Sequence, residues 1–261
     1  WNGMDDDLKV HALNMGGMGT INLNGLTMTI MGGLADSMND KLIGMGLSGM
    51  GDLRLIDAST SGAKGTLVFD ATGTHSGDIY AADGISLILN QSDALGISGS
   101  LRTAGTLYME AAADQHKDML AASSEGTRSI VNLDVTKSDT PLNWYGEIRL
   151  DELNVTGSLN LAHSNSIGSL SVTDGLVTTT GPGGSSFGNV AAHATDGHTG
   201  GITLYQNDNV SGFITTGTDS TVPLDGLHSS NVTYIENAGT LVLDNGAMIN
   251  VNKGKDTDVV S

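Results

Sequence analysis

The feature that most constrains this chain is one short phrase restated along its length: a glycine, a polar residue, an aliphatic residue, any residue, then a second apolar one. Gly157-Ser158-Leu159-Asn160-Leu161 and Gly168-Ser169-Leu170-Ser171-Val172 state it twice in succession. Variants begin at Gly19, Gly51, Gly65, Gly105, Gly146, Gly201 and Gly239, ending at Leu23, Leu55, Phe69, Met109, Leu150, Leu204 and Leu243. In extended backbone successive side chains point to opposite faces, so Leu159 and Leu161 share one face and Asn160 takes the other. Glu147, Arg149 and Asp151 alternate with Ile148 and Leu150 in the same way, placing charge outside and aliphatics inside. Each phrase predicts a short, half-buried strand that starts at a glycine corner.

Short alternating strands are compatible with a sandwich, a barrel or a solenoid. Asn24-Gly25, Asp83-Gly84, Asp174-Gly175, Asp196-Gly197, Asp225-Gly226 and Asn245-Gly246 are hairpin-turn dipeptides and keep the sandwich open. Repetition of a single phrase favours an all-β parallel β-helix, with short Gly-rich turns and a few longer loops. At roughly 20 residues per coil the chain would make about a dozen coils, some 55 to 60 Å in length. Composition agrees: 37 glycines against 3 prolines supply corners, no cysteine is present, and aromatics are 4% of the chain, so the core must be aliphatic. Nothing resembles a linker, which predicts one continuous unit over 1–261. Within it, 25–56 and 105–135 read as related sub-repeats. Each has an alternating strand, two Asp four apart (Asp36 and Asp40; Asp114 and Asp118), and a second apolar patch. Ala-rich 110–122 also suits a helix, but its Gly-rich echo at 30–43 argues for turns.

A formal charge of −18 and a pI near 4.3 oppose binding to nucleic acid or to anionic membrane surfaces. No apolar run reaches the length of about 18 residues that a spanning helix needs, so no membrane insertion of this segment is expected. The chain opens on Trp1 without a basic-then-apolar leader and reads as a mature or excised piece. Eight of the 11 methionines fall in the first 50 residues, as filler of an irregular core or as a partner-gripping surface. Asp5-Asp6-Asp7 lacks the glycine and acidic offsets of calcium loops. The turn-rich 178–186 is the best candidate for a projecting loop, and 253–258 reads as a polar, frayed end.

The Gly-Thr/Ser-Leu-x-apolar units together with Asp40-Lys41-Leu42 make the chain similar to the passenger regions of Gram-negative autotransporters, most of all the pertactin-like passengers. Gly105 to Met109, Ala113-Asp114, Asp118-Met119-Leu120, Gly126 and Ile130 to Val135 resemble the segment that assists folding of such passengers. The segment occurs twice here, and β-helix-like sequence continues for more than a hundred residues after the second copy. The resemblance implies a right-handed β-helix, displayed on the cell surface or secreted, serving as an adhesin or structural stalk. Its partners would be a host or matrix glycan or protein, or further copies of itself. The alternatives are a carbohydrate-active β-helix enzyme and a self-associating matrix or fibre protein.

The chemistry of an enzyme is hard to assemble from these residues. The Gly-Asp-Ser-Gly signature of serine protease passengers is missing. A polysaccharide lyase needs clustered Asp beside a basic residue, whereas Arg54 and Arg149 alternate with acids as a solvated ladder would. His193 and His198 flank Asp196 in a metal-like spacing without a third or fourth fixed ligand. No catalytic, cofactor-binding or metal-binding residue is assigned, and no cofactor is expected. The Asn-x-Ser/Thr sites at Asn90, Asn154, Asn209 and Asn231 are incidental on a bacterial reading. If the ends expose open backbone edges, repulsion should keep the chain monomeric at low salt and pH 8. Elongated oligomers should form as salt rises or pH falls toward about 4 to 5.

Overall fold

The computed structural model describes residues 8–251, apart from 11–12, 24, 31–33, 37–40, 44–45, 59–64, 126–127, 182, 196, 206–207, 219, 226–229, 233, 238 and 245–248. Among the described residues regular structure is entirely β, and no helix is long and apolar enough to cross a membrane. The chain divides into two compact units, 1–151 and 152–261.

In the first unit two parallel ladders carry the fold. One aligns Gly19–Asn22, Leu53–Ile56, Ile79–Ala82, the first part of Ser100–Ala111, Met119–Ala122 and the start of Glu147–Thr156. The other aligns Leu8–Val10, Thr27–Ile30, Thr66–Phe69, Ser86–Leu89, the second part of Ser100–Ala111 and Ser129–Asp134. Their inward columns are aliphatic: Leu53, Ile79, Leu101, Leu120 and Ile148 in one, Leu67, Leu87, Met109 and Leu133 in the other, all buried. Each such Leu or Ile contributes roughly 1.5–3 kcal/mol by leaving water. The strand Ser100–Ala111 serves both ladders by bending at Gly105, whose φ of 108° lies in a region side chains disfavour. There Thr106 N donates to Asp83 Oδ1 at 2.7 Å.

In the second unit Ser166–Thr173, Ser186–His193, Phe213–Thr216 and Tyr234–Asn237 form one parallel ladder. Leu159–Leu161, Leu176–Thr179, Gly200–Tyr205, Ser220–Asp225 and Thr240–Asp244 form another. Leu159, Leu161, Leu170 and Val172 are buried as the alternation requires, while Asn160 and Ser171 are half-exposed. The side chains of Leu241, Val242 and Leu243 lie outside the described set.

The length of chain between successive strands of a ladder varies, shorter from Leu159 to Val177, longer from Leu120 to Ile148 and longer still from Met28 to Leu67. The Asp-Gly dipeptides at 83–84 and 174–175 do not close hairpins. They turn the chain between strands of different ladders, with Gly84 at φ 80° and Asp174 at φ 54°. Leu34–Asp36 and Lys41–Ile43 pair antiparallel, unlike every other described ladder. This antiparallel pair falls within the step from Met28 to Leu67, which is longer than the steps on either side, Leu8 to Met28 and Leu67 to Leu87. The two Asp-bearing segments are thus paired differently: Met119–Ala122 of the second lies parallel on Ser100–Thr103. Leu120 is buried, and the side chain of Leu42 lies outside the described set. Residues 110–122 contain no helix; strand continues to Ala111 and resumes at Met119.

The methionines divide. Met15 and Met28 are buried, whereas Met18 and Met50 are exposed. Asp5 to Asp7 and 253–258 fall outside the described residues. The segment 178–186 projects less than its composition suggests. Thr179 and Ser185 are buried, Thr180 N donates to Leu161 O at 2.9 Å, and Gly181 lies against the backbone of His163.

Candidate functional site

A groove lies on the outward face of the first unit, where long side chains flank two small ones. The register places Arg54 beside Tyr80 and Tyr80 beside Arg102, with Ala82 beside Ala104 two residues further along. Because the two alanines leave the surface low between taller neighbours, a cavity of about 160 Å³ opens there, lined by Arg54, Tyr80, Ala82, Asp83, Ala104 and Glu125 among others. Strands sit about 4.8 Å apart, and the strand carrying Arg54 is three ladder steps from Met119–Ala122. Ser123 to Glu125 follow that last strand, and Glu125 reaches back to close the groove's rim. Its carboxylate takes Nη1 of Arg54 at 2.8 Å and Nη2 at 2.5 Å. Both side chains stay wet, 41% and 53% exposed. The bidentate bond holds the Glu125 carboxyl below its usual range and raises the Arg54 guanidinium.

The neighbouring cations are also matched. Arg102 Nε donates to Asp78 Oδ2 at 3.2 Å, and Arg149 Nε donates to Glu147 Oε1 at 2.7 Å. Asp78 is used further: Oδ1 accepts the backbone N–H of Ser100 at 2.8 Å, and these bonds outweigh burial to keep its carboxyl low. Arg149 pairs with its strand neighbour Glu147, as an alternating charge ladder would, whereas Arg54 pairs with Glu125, 71 positions along the chain.

Inside the same unit a charged group is wholly buried. Lys117 has no exposed surface, and its Nζ donates to the carbonyls of Ser98 at 2.5 Å, Gly77 at 3.1 Å and Leu95 at 3.2 Å. Nδ1 of the equally buried His75 lies 3.4 Å away. His75 Nε2 contacts Gly51 O at 2.8 Å, so Nε2 carries the proton and Nδ1 faces the ammonium with a lone pair. Burial pushes Lys117 down to about 8 despite the carboxylates of Asp78 and Asp118. Burial also lowers His75, opposed by the Gly51 bond and reinforced by the Lys117 charge. Nearby, buried Gln115 donates to Gln91 O and Ala113 O, while its Oε1 and Trp144 Nε1 are without partners. On the surface the His116 and Tyr145 rings stack at 3.9 Å, with His116 Nδ1 2.5 Å from Asp93 Oδ1.

The second unit buries a charge of opposite sign. Asp208, 4% exposed, accepts from Ser185 N at 2.7 Å, Tyr205 N at 2.8 Å and the hydroxyl of Thr179. A shallower groove of about 560 Å³ in this unit is lined by Gly197, His198, Thr199, Thr218, Thr221 and Thr240 among others. His193 ends the strand Ser186–His193 and His198 lies in this groove, while Asp196 is outside the described residues. Asp174 accepts from Thr195 N at 2.6 Å and Thr195 Oγ1 at 2.7 Å. These two bonds, with a smaller contribution from His198, hold its carboxyl low. No group of three or more His, Asp or Glu with metal-holding geometry occurs among the described residues. Lys117, His75 and Asp208 escaped the sequence reading because charged residues are assigned outward by default. The one signal was position, and it applied to Asp208 alone, which lies two residues from buried Val210, whereas Lys117 is out of step with inward Leu120.

Comparison with protein-family models, with curated proteins and with solved structures gives no match to this chain.

Proposed function

We propose that each unit is a right-handed parallel β-solenoid and that the chain is part of a bacterial passenger of the autotransporter type, secreted or displayed at the cell surface. It acts as an adhesin or structural stalk that engages a host or matrix glycan or protein along its side faces. The observation that carries this reading is the columnar sorting of side chains. In the second unit the buried column Leu159, Val177, Ile202 runs beside the outward column Asn160, Thr178, Thr203. Leu170, Val190, Ile214 likewise run beside Ser171, Ala191, Thr215. Stacking like on like, with comparable lengths of chain between Leu159 and Val177 and between Leu170 and Val190, supports a solenoid. It leaves a long flank of small hydroxyl and amide groups, which suits hydrogen bonding to an extended partner with little net charge.

The test is a screen of the purified chain on glycan arrays and on immobilised extracellular-matrix proteins. Saturable binding to one ligand class is the expected result. Release of hydrolysis or lyase products from a bound polysaccharide would overturn the reading in favour of an enzyme.

A further inference from the structure

We infer that the groove between Tyr80 and Asp83 is a binding site for a single neutral pyranose unit of a glycan, held between the Ala82 and Ala104 floor and the Arg54–Glu125 pair. This deepens the adhesin reading and rests on it. Size points to one ring. At about 160 Å³ the cavity lies below the roughly 300–1,000 Å³ of pockets that enclose drug-sized ligands, and it holds about five waters' worth of volume. One small polar ring fills it.

The distribution of chemistry points the same way. Ala82 and Ala104 give a floor of methyl groups flanked by the Tyr80 ring, and the rim carries the Arg54 guanidinium, the Glu125 carboxylate, the Asp83 carboxylate and Ser123. A pyranose has the matching division: an apolar C–H face for the floor and ring, and equatorial hydroxyls at its edge for charged donors and acceptors. Adjacent hydroxyls can donate to Glu125 and accept from Arg54, whose five N–H groups are not exhausted by the two already given to that carboxylate.

Charge selects neutral over acidic sugars. The cationic side chains of this face, Arg54, Arg102 and Arg149, are each paired with a carboxylate. With Asp83 also on the rim and −18 on the chain, an anionic ligand would have to displace an acid and enter a negative field. A neutral ring needs neither. The ion pair itself adds to this. An exposed Arg–Glu pair fixes two long side chains for little stability, yet here the carboxylate comes from a residue 71 positions away and is bidentate. Its geometry pre-orders both groups for a ligand at the groove.

The experiment measures saturation-transfer NMR and isothermal titration of the whole chain with neutral monosaccharides and their short oligomers, with uronic-acid analogues alongside. The variants are Ala82→Leu, Ala104→Leu and Glu125→Gln. The two leucines fill the groove on an outward face, and Glu125→Gln removes the charge while keeping the shape. At least one neutral sugar should bind with a Kd of about millimolar or tighter. Either leucine should weaken it at least about tenfold and Glu125→Gln by about three- to tenfold, at unchanged circular dichroism. Uronic acids should bind at least about tenfold more weakly than their neutral counterparts. Neutral-sugar binding that persists in both leucine variants overturns the site and leaves glycan adhesion standing elsewhere on the chain. Equal binding of uronic acids overturns the neutral assignment. Failure of every sugar while a matrix protein binds overturns the site but not the adhesin, and failure of both ligand classes overturns the two together. If one leucine variant misfolds, the other and Glu125→Gln decide.

Discussion

The first unit buries an ammonium and the second a carboxylate, and among the described residues neither charge has an ion-pair partner in contact. Lys117 is surrounded by acceptors, three carbonyls and an imidazole lone pair; Asp208 is surrounded by donors, two backbone N–H groups and a hydroxyl. Both solve the same difficulty, a charge removed from water, with backbone dipoles at strand corners. They should not be equally costly to remove. A carbonyl that loses one donor keeps a second lone pair for other contacts, whereas an N–H has a single bond to make and is the rarer orphan in native proteins. The carboxylate is therefore the more structural of the two charges.

The largest expected effect breaks the donor cluster. Asp208→Ala leaves the Ser185 and Tyr205 N–H groups without their acceptor, while the Thr179 hydroxyl keeps Thr203 O at 3.3 Å, and should cost about 4 kcal/mol in urea unfolding, since each orphaned group costs about 1–3 kcal/mol. A loss below about 1 kcal/mol would show that water or neighbours replace the carboxylate. Next comes the pH dependence of the ammonium. Its folded pKa, about 8, lies below its ordinary 10.5, so between these values the unfolded chain binds more protons. Stability should rise with pH through that window, by up to about 3 kcal/mol, and Lys117→Met should abolish the rise. Stability curves of the wild type and variant that run parallel from pH 8 to 10.5 would contradict this.

At pH 7 Lys117→Met itself should cost less than Asp208→Ala, about 2 kcal/mol, because the lost carbonyl bonds are partly offset by relief of a buried charge. A variant as damaged as Asp208→Ala would erase the proposed asymmetry. The smallest effect belongs to His75. Its depressed pKa means its contribution is fully present above about 6.5 and is lost as pH falls further. That decline should be shallower in Lys117→Met, which removes the adjacent charge. Denaturation midpoints from pH 7 to 5 measure it.

Alternation made the strands legible. Leu53, Leu67, Leu107, Ile148, Leu159 and Leu170 are buried where the repeated phrase places them; the preceding glycine falls at a strand start or bend in each case but Gly168, which lies inside the strand Ser166–Thr173. Pairing direction was less legible, because a turn dipeptide such as Asp83-Gly84 serves a hairpin and a corner equally well. The antiparallel pair Leu34–Asp36 and Lys41–Ile43 comes from a segment that shares its Asp spacing with one that pairs parallel, so spacing alone does not encode partner choice. The groove was illegible for a different reason. It depends on Ala82 meeting Ala104 across one ladder step and on Glu125 meeting Arg54 from far along the chain, relations set by register and not by local pattern.

Gly17, Gly51, Gly77 and Gly99 lie in a column of the first unit, and a methyl on any of the last three would strike the carbonyl of the glycine before it. That corner is sterically closed to new side chains, while the length of chain between strands varies, being distinctly greater from Leu120 to Ile148 than from Leu101 to Leu120. Length variation must therefore be absorbed away from the column. For protein engineering the column acts as a spine: inserted residues belong away from it, with the glycine corner left untouched. The same rule would let successive duplications of a coil drift in length on their exposed side while remaining in register along the spine.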